Sequence, residues 1–248
     1  MKDQLSISVA IAVYNGEKYI TEQLESILCQ LEENDEIVIS YNESIDNTFF
    51  ILMQFVKRDS RIKVFKCDEK GIISNFENAI AHSTGDIICL SDQDDVWMSD
   101  KRKTIVDKFK DDEVVALLHD CDYYDSKFNV IIRSAYDRGV KNGTLYNILK
   151  NSYQGSCMAF RSCLKNVILP IPRNIAMHDQ WIGIISNLKG TLLIVNNKLI
   201  KYRRHDDVMS PDDERLPILK KIRFIFSISY ELVKRIWVSK QWREKNDK

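Results

Sequence analysis

The sequence predicts an α/β protein built on a doubly wound, mostly parallel sheet, and three observations lead there. Short apolar runs with strand character alternate with amphipathic helical patterns through the first hundred residues. One such run, Ile87-Ile88-Cys89-Leu90, is introduced by Gly85-Asp86 and cut off by the acids Asp92, Asp94 and Asp95. Neither a Gly-x-Gly-x-x-Gly fingerprint nor a P-loop occurs, which argues against dinucleotide dehydrogenases and P-loop ATPases.

Leu5 to Val13 reads as the first strand, and Ile20, Leu24, Ile27, Leu28 and Leu31 make one face of a helix behind a possible Asn15 N-cap. Glu36 to Ser40 is a second strand, followed by a helix from about Thr48 to Lys57. Ile62 to Phe65 is a third strand, Ser74 to His82 a helix, and Ile87 to Leu90 the acid-ended strand. This alternation implies right-handed crossovers between parallel strands. Beyond Asp100 the pattern gives a helix to about Lys110 and strands at Val114 to Leu118, Asn129 to Arg133 and Ser156 to Phe160. A helix opens near Met177, and a last strand runs from Ile200 to Tyr202. The expected organisation is a domain over 1–205 with halves 1–98 and 99–205, a linker at 206–217, and a basic amphipathic helix at 218–248.

A chain of 248 residues, 44% hydrophobic and 29% charged, buries a sizeable core in one large or two small domains. No basic region followed by an apolar stretch opens it, and no apolar run is long enough to span a bilayer. The six cysteines include no Cys-x-x-Cys and several sit in strand-like runs, so they read as reduced core residues of a cytoplasmic protein. Net charge is zero but unevenly spread. Residues 218–248 carry nine Lys or Arg against three Asp or Glu, which leaves this segment at +6 and the preceding residues at −6. There Ile218, Ile222, Ile225, Phe226, Leu232, Ile236 and Trp237 recur near helical spacing among lysines and arginines. Such a helix either lies in the headgroup layer of an anionic membrane, making the protein peripheral to the inner face of the cell membrane, or packs its apolar face on the domain.

The acid-ended strand carries the chemistry. Strands of α/β sheets release their chain at the carboxyl edge, where ligands bind. Asp92 and Asp94 there form an Asp-x-Asp pair with oxygens suited to Mg2+ or Mn2+, ions that keep open positions for phosphate. Read alone, the tripeptide is better explained as a solvated acidic loop, since such spacing is common.

In its wider setting, Thr84 to Trp97 with the core Ser91-Asp92-Gln93-Asp94-Asp95-Val96-Trp97 resembles the metal-binding region of family 2 glycosyltransferases, in particular the rhamnosyltransferase-like branch. The likeness extends from Ile7 to about His205. It implies a GT-A type fold, a nucleotide-diphosphate sugar donor, and a metal held by Asp92, Asp94 and His205. Donor contacts are implied at Ala12, Tyr14, Asn15, Asn42, Asn75, Ser91, Asp92, Arg203 and Arg204. Ala12-Val13-Tyr14-Asn15-Gly16-Glu17 corresponds to the nucleotide-contacting end of the first strand, where a glycine permits close approach. Met177-His178-Asp179-Gln180-Trp181 matches the His-Asp-x-Trp element, and Asp179 is the candidate base that takes a proton from the acceptor hydroxyl. Taken by itself, Asp179 reads as a helix N-cap. Tyr202-Arg203-Arg204-His205 resembles the Tyr-Arg-x-His element, with Arg203 or Arg204 neutralising the leaving diphosphate. His82 and His119 are assigned to ordinary structural roles.

One element departs from the pattern. Where the family has Asp-Asp-Gly-Ser, this chain has Tyr41-Asn42-Glu43-Ser44. Asn42 still accepts a hydrogen bond from a pyrimidine N–H, while Glu43 adds bulk and negative charge near the expected diphosphate. The resemblance therefore implies an inverting, metal-dependent hexosyltransferase that uses dTDP-rhamnose or a UDP-sugar. Its acceptor would be a hydroxyl of a lipid-linked or cell-surface glycan, as in bacterial polysaccharide biosynthesis. The alternative is a catalytically silent nucleotide-sugar-binding or membrane-associated module. A nucleotidyltransferase lacks support, since no Gly- and Lys/Arg-rich loop stands at Ala12 to Lys18. No nucleic-acid partner is implied.

Overall fold

The computed structural model describes residues 4–125, 129–204 and 217–246. The first part runs β1 (Ile7–Val13), α1 (Ile20–Leu28), β2 (Glu36–Tyr41), α2 (Thr48–Arg58), β3 (Ile62–Lys66), α3 (Ile72–His82) and β4 (Ile87–Ser91). Next come β5 (Val96–Trp97), α4 (Lys101–Lys108), β6 (Val114–Tyr124), β7 (Val130–Ile132), α5 (Thr144–Leu149) and β8 (Met158–Arg161). The last elements are α6 (Lys165–Ile168), α7 (His178–Lys189), β9 (Thr191–Arg203) and α8 (Ile218–Asn246).

One sheet has the order β3-β2-β1-β4-β8-β6-β9-β5, with β7 beside β6. Strands β1 to β4 pair in parallel, as the alternating sequence predicts. The other half is mixed: β8 runs antiparallel to β4 and β6, while β6 and β9 are parallel. The period-two pattern of the strands sorts side chains onto two cores. Ile7, Val9, Ile11 and Val13 of β1 point with Ile87 and Cys89 of β4 into one core, under α1, α2 and α4. Ala10, Ala12, Ile88 and Leu90 point into the other, under α3, α7 and α8.

Three sequence expectations change. β6 extends to Tyr124 and β9 spans 13 residues, because this pair tolerates shifts of register and carries polar residues, His119, Asp120 and Asp122 on β6 and Asn196, Asn197 and Lys198 on β9, which interrupt the apolar signal. Val96 and Trp97 form a short strand on the edge of β9. Asn15 caps no helix. It has φ 48°, in the left-handed region that asparagine tolerates, and α1 begins at Ile20.

Helix α8 packs on the domain through Ile228 and Leu232, 1% and 5% exposed. Arg235 donates to the carbonyls of Val167 at 2.8 Å and Leu169 at 2.6 Å, and its guanidinium lies over the Trp181 ring. The packing alternative read from the sequence is therefore realised on this face. The expected linker, apart from Pro217, lies outside the described residues. Among the described residues no helix is long and apolar enough to cross a membrane.

Candidate active site

In the order β3-β2-β1-β4 the chain winds outward from β1 and then returns to the other side of it. The topological switch point thus lies between β1 and β4, where open α/β sheets bind ligands. A cleft of about 1340 Å³ opens there. It exceeds the ~300–1,000 Å³ usual for one small ligand, so it has room for two reactants side by side. Its walls include Ala12, Tyr14, Asn15, Asn42 and Asn75 on one side, Asp92 and Asp94 at the edge of the sheet, and Asp179, His178 and Arg204 across from them.

The acidic loop is fixed from beneath. The Ser91 hydroxyl accepts from Gln23 Nε2 at 2.5 Å and from the Trp97 indole at 3.1 Å, and Gln23 also donates to the Asp92 carbonyl at 2.8 Å. Ser91 is 1% exposed and does not line the cleft, so its contribution is to hold the loop. Arg203 is likewise turned inward. Its Nε donates to the Asp94 backbone oxygen at 2.9 Å and its Nη2 to Glu22 at 2.6 Å, and it too is absent from the cleft wall.

The carboxylates above this base crowd one another. Burial pushes Asp92 up to about 7, with the negative charges of Asp94 and Asp179 adding to the rise and Lys101 opposing it. Asp95 is also raised, first by burial and then by Asp94 and Asp92, and its Oδ2 is buried without a protein partner. Lys101 is itself buried, donates to the Ser156 carbonyl at 3.1 Å and lies over the Trp97 ring at 4.3 Å. A cluster of hard oxygens with surplus negative charge fits a divalent cation. Among the described residues, no three His, Cys, Asp or Glu side chains are grouped at metal-ligand spacing. Asp92 and Asp94 would supply carboxylate oxygens to such an ion. His205 lies outside the described residues.

On the opposite wall, Gln93 clamps the end of β1, accepting from Tyr14 N at 2.9 Å and donating to Tyr14 O at 3.0 Å. Gly16 serves this clamp, since a Cβ there would meet Gln93 Oε1 at 2.6 Å. Asn15 ties the two loops together, its Oδ1 accepting from Ile45 N at 3.0 Å. Asn42 donates its amide to the carbonyls of Cys67 and Glu69, at 2.7 and 3.1 Å. Two carbonyl partners require the NH2 end, which leaves Oδ1 as the acceptor of the amide. Asn75 donates to the Val13 carbonyl, and its Oδ1 is buried with no protein partner. The bulk and charge of Glu43 fall outside the cleft, with the carboxylate 3.7 Å from Lys66.

Asp179 sits in the first turn of α7 and is 6% exposed. Its Oδ1 accepts from Asn151 Nδ2 at 2.9 Å and from Gln180 N at 2.6 Å, and its Oδ2 accepts from Gly155 N at 3.1 Å. These donors come from three places in the chain, so the carboxylate is oriented by the tertiary fold and not only by its own helix. Trp181 points away, into the core, with its indole on the Ile168 carbonyl.

Of the residues expected from sequence, Ala12, Tyr14, Asn15, Asn42, Asn75, Asp92, Asp94, Asp179 and Arg204 meet on one cleft. Gln93, Gln23 and Lys101 were missed as contributors to it. Gln93 lies within the acidic motif and was within reach of a sequence reading. The other two act across sequence separations that no local pattern carries.

Solved structures of this architecture are GT-A glycosyltransferases. TarS of S. aureus, in complex with UDP-GlcNAc, matches with a TM-score of 0.66 at 18% identity, over 86% of this chain and 62% of its own. Mannosyltransferase PcManGT from Pyrobaculum calidifontis, in complex with GDP-Man and Mn2+, gives 0.65 at 17% identity, over 95% and 74%. At such identities the likeness is one of fold. The family model "Glycosyl transferase family 2" matches residues 8–168, and the chain belongs to that family. The dTDP-rhamnosyl transferase RfbG of Shigella flexneri is 40% identical over 103 residues, which are 39% of this chain and 36% of that protein. The chain spans about half or less of the length of such curated relatives.

Proposed function

We propose that this protein transfers a sugar, with inversion, from a nucleotide-diphosphate sugar to a hydroxyl of a lipid-linked or cell-surface glycan. The observation that carries the reading is the position of Asp179, oriented by three donors on the same cleft as Asp92 and Asp94. In a direct displacement the acceptor oxygen bonds to the anomeric carbon as the bond to the diphosphate oxygen breaks. Asp179 takes the hydroxyl proton and the nucleoside diphosphate leaves. Asp92 and Asp94, with His205, would hold Mn2+ or Mg2+. When bound, that ion offsets negative charge on the leaving diphosphate. Arg204 lines the cleft and adds positive charge to it, the role that Arg203, turned inward, is not placed to fill.

Asn42 lines the cleft with its Oδ1 left to accept from a base N–H, which supports a pyrimidine donor such as dTDP-rhamnose, the donor in the name of the Shigella flexneri relative, or a UDP-sugar. The same geometry disfavours a silent module, since the altered loop keeps an acceptor in place and Glu43 out of the way. The proposed membrane partner rests on the second face of α8. Ile218, Leu219, Ile222, Phe226, Tyr230 and Val233 are exposed and fall within about a 120° sector, beside Arg223 and Lys234.

The test is transfer of labelled sugar from UDP-glucose, UDP-GlcNAc, dTDP-rhamnose and GDP-mannose to lipid-extracted glycan acceptors, with and without Mn2+. Folded protein that neither binds nor transfers from any donor would contradict the reading.

A further inference from the structure

We propose that His178 binds a hydroxyl of the sugar ring lying against Asp179, through one of its two ring nitrogens. The inference rests on the glycosyltransferase reading and extends it to a residue whose role that reading leaves open. His178 opens α7 one residue before Asp179, lines the cleft and is 3% exposed. Neither Nδ1 nor Nε2 has a hydrogen-bond partner in the protein. Buried polar atoms are almost always paired, and an imidazole orphaned at both nitrogens is a costly way to fill space that a leucine or phenylalanine would fill without loss.

The surroundings hold the ring in place. Phe76 stacks on it with centroids 4.1 Å apart and planes inclined by 22°. The neighbouring position is glycine, and a Cβ on Gly155 would meet Nε2 at 2.9 Å. Gly155 also gives its N–H to Asp179, so one residue with no side chain both orients the base and leaves room for the imidazole.

The chemistry of the ligand follows from the charge of the ring. Burial holds His178 down at about 3, so it is neutral at physiological pH and presents one N–H and one bare nitrogen. Either nitrogen suits a hydroxyl, which accepts from the N–H or donates to the bare nitrogen, and the neutral ring gives no charge to a phosphate. The hydroxyl belongs either to the donated sugar or to the acceptor sugar, since both meet at Asp179.

The experiment compares wild type with His178→Phe, which keeps the stacking, and His178→Gln, which restores a donor and an acceptor. Melting temperatures are taken without ligand. Binding of UDP-glucose, UDP-GlcNAc, dTDP-rhamnose, GDP-mannose and the matching nucleoside diphosphates is measured by calorimetry with Mn2+. His178→Phe is expected to raise the melting temperature, to leave nucleoside diphosphate affinity unchanged, and to weaken binding of the accepted sugar nucleotide about tenfold if the hydroxyl is on the donor. If it is on the acceptor, donor affinity stays and the acceptor KM rises by a similar factor. His178→Gln should recover most of either loss. A His178→Phe protein with a lowered melting temperature and wild-type binding and transfer would overturn the inference and make His178 a packing residue. Wild-type protein that uses no donor would overturn the enzymatic reading itself.

Discussion

The Arg203 guanidinium donates from Nε to the backbone oxygen of Asp94 at 2.9 Å, and the Arg203 backbone N–H reaches Asp95 Oδ1 at 3.2 Å. The last strand thereby braces the loop that carries the paired carboxylates. Arg203→Ala should cost about 2–3 kcal/mol, the range for hydrogen bonds to a charged group. For a chain of this size that is a fall of roughly 5–10 °C in melting temperature. Arg203→Lys keeps the charge but loses the fork and should fall between. An arginine acting directly on diphosphate would instead lower donor affinity at constant melting temperature, so thermal melts and donor titrations together decide.

Asp179→Asn should lower turnover by about 10²–10⁴-fold, the usual contribution of a general base, with donor binding close to wild type. Asparagine keeps an oxygen for Asn151 and Gln180 but turns an amide toward the Gly155 N–H, so a small loss of stability accompanies the kinetic loss. Steady-state rates at saturating donor are the measurement, and a variant at wild-type rate removes Asp179 from the mechanism.

Glu36 gives a pH prediction distinct from the cleft. Burial pushes its carboxyl up, but hydrogen bonds from Lys63, Ser8 and Thr84 outweigh that and leave it at about 2, below its ordinary 4.5. A folded pKa below the unfolded one means stability that is fully present above about pH 4.5 and is lost as pH falls toward 2. Glu36→Gln should therefore destabilise the protein by about 2–3 kcal/mol at neutral pH and flatten the acid limb of the stability curve between those values. Denaturant unfolding at pH 3, 4, 5 and 7 measures it.

Much of the fold was legible because β1 to β4 have the apolar runs that buried parallel strands require, punctuated by residues such as Gly85 and Asp86. β6 and β9 were truncated because His119 and Asn196 interrupt their apolar runs, and strand length there is set by pairing across the sheet. The cleft lining was legible where residues sit in short motifs, as Asp92 and Asp94 do in one and Asp179 in another. It was misread where a polar side chain of the motif turns inward, as Ser91 and Arg203 do, because sequence gives the position of a residue and not the direction of its side chain. Asn42 is the reverse case: the substitution looked disruptive, yet two backbone carbonyls take its NH2 and leave its oxygen as an acceptor in a residue that lines the cleft.

The two faces of α8 separate packing from membrane binding. Ile222→Glu with Phe226→Glu and Val233→Glu should abolish sedimentation with vesicles of phosphatidylglycerol and phosphatidylcholine while leaving the melting temperature near wild type, because these side chains are already exposed. Salt should weaken the wild-type association. Leu232→Glu, on the packed face, should instead destabilise the fold. Equal sedimentation of the triple variant would remove the membrane from this surface.

The central claim is that the paired carboxylates hold the ion on which a nucleotide-sugar donor binds, and one calorimetric experiment meets it directly. Wild type and Asp94→Asn are titrated with UDP-glucose, UDP-GlcNAc, dTDP-rhamnose and GDP-mannose, with Mn2+ and with chelator. The account predicts that wild type binds at least one donor, that chelation abolishes the binding, and that Asp94→Asn loses it at an unchanged or raised melting temperature, since the substitution relieves repulsion on Asp92 and Asp95. Donor affinity that is the same in Asp94→Asn as in wild type, or the same with chelator as with Mn2+, would contradict it.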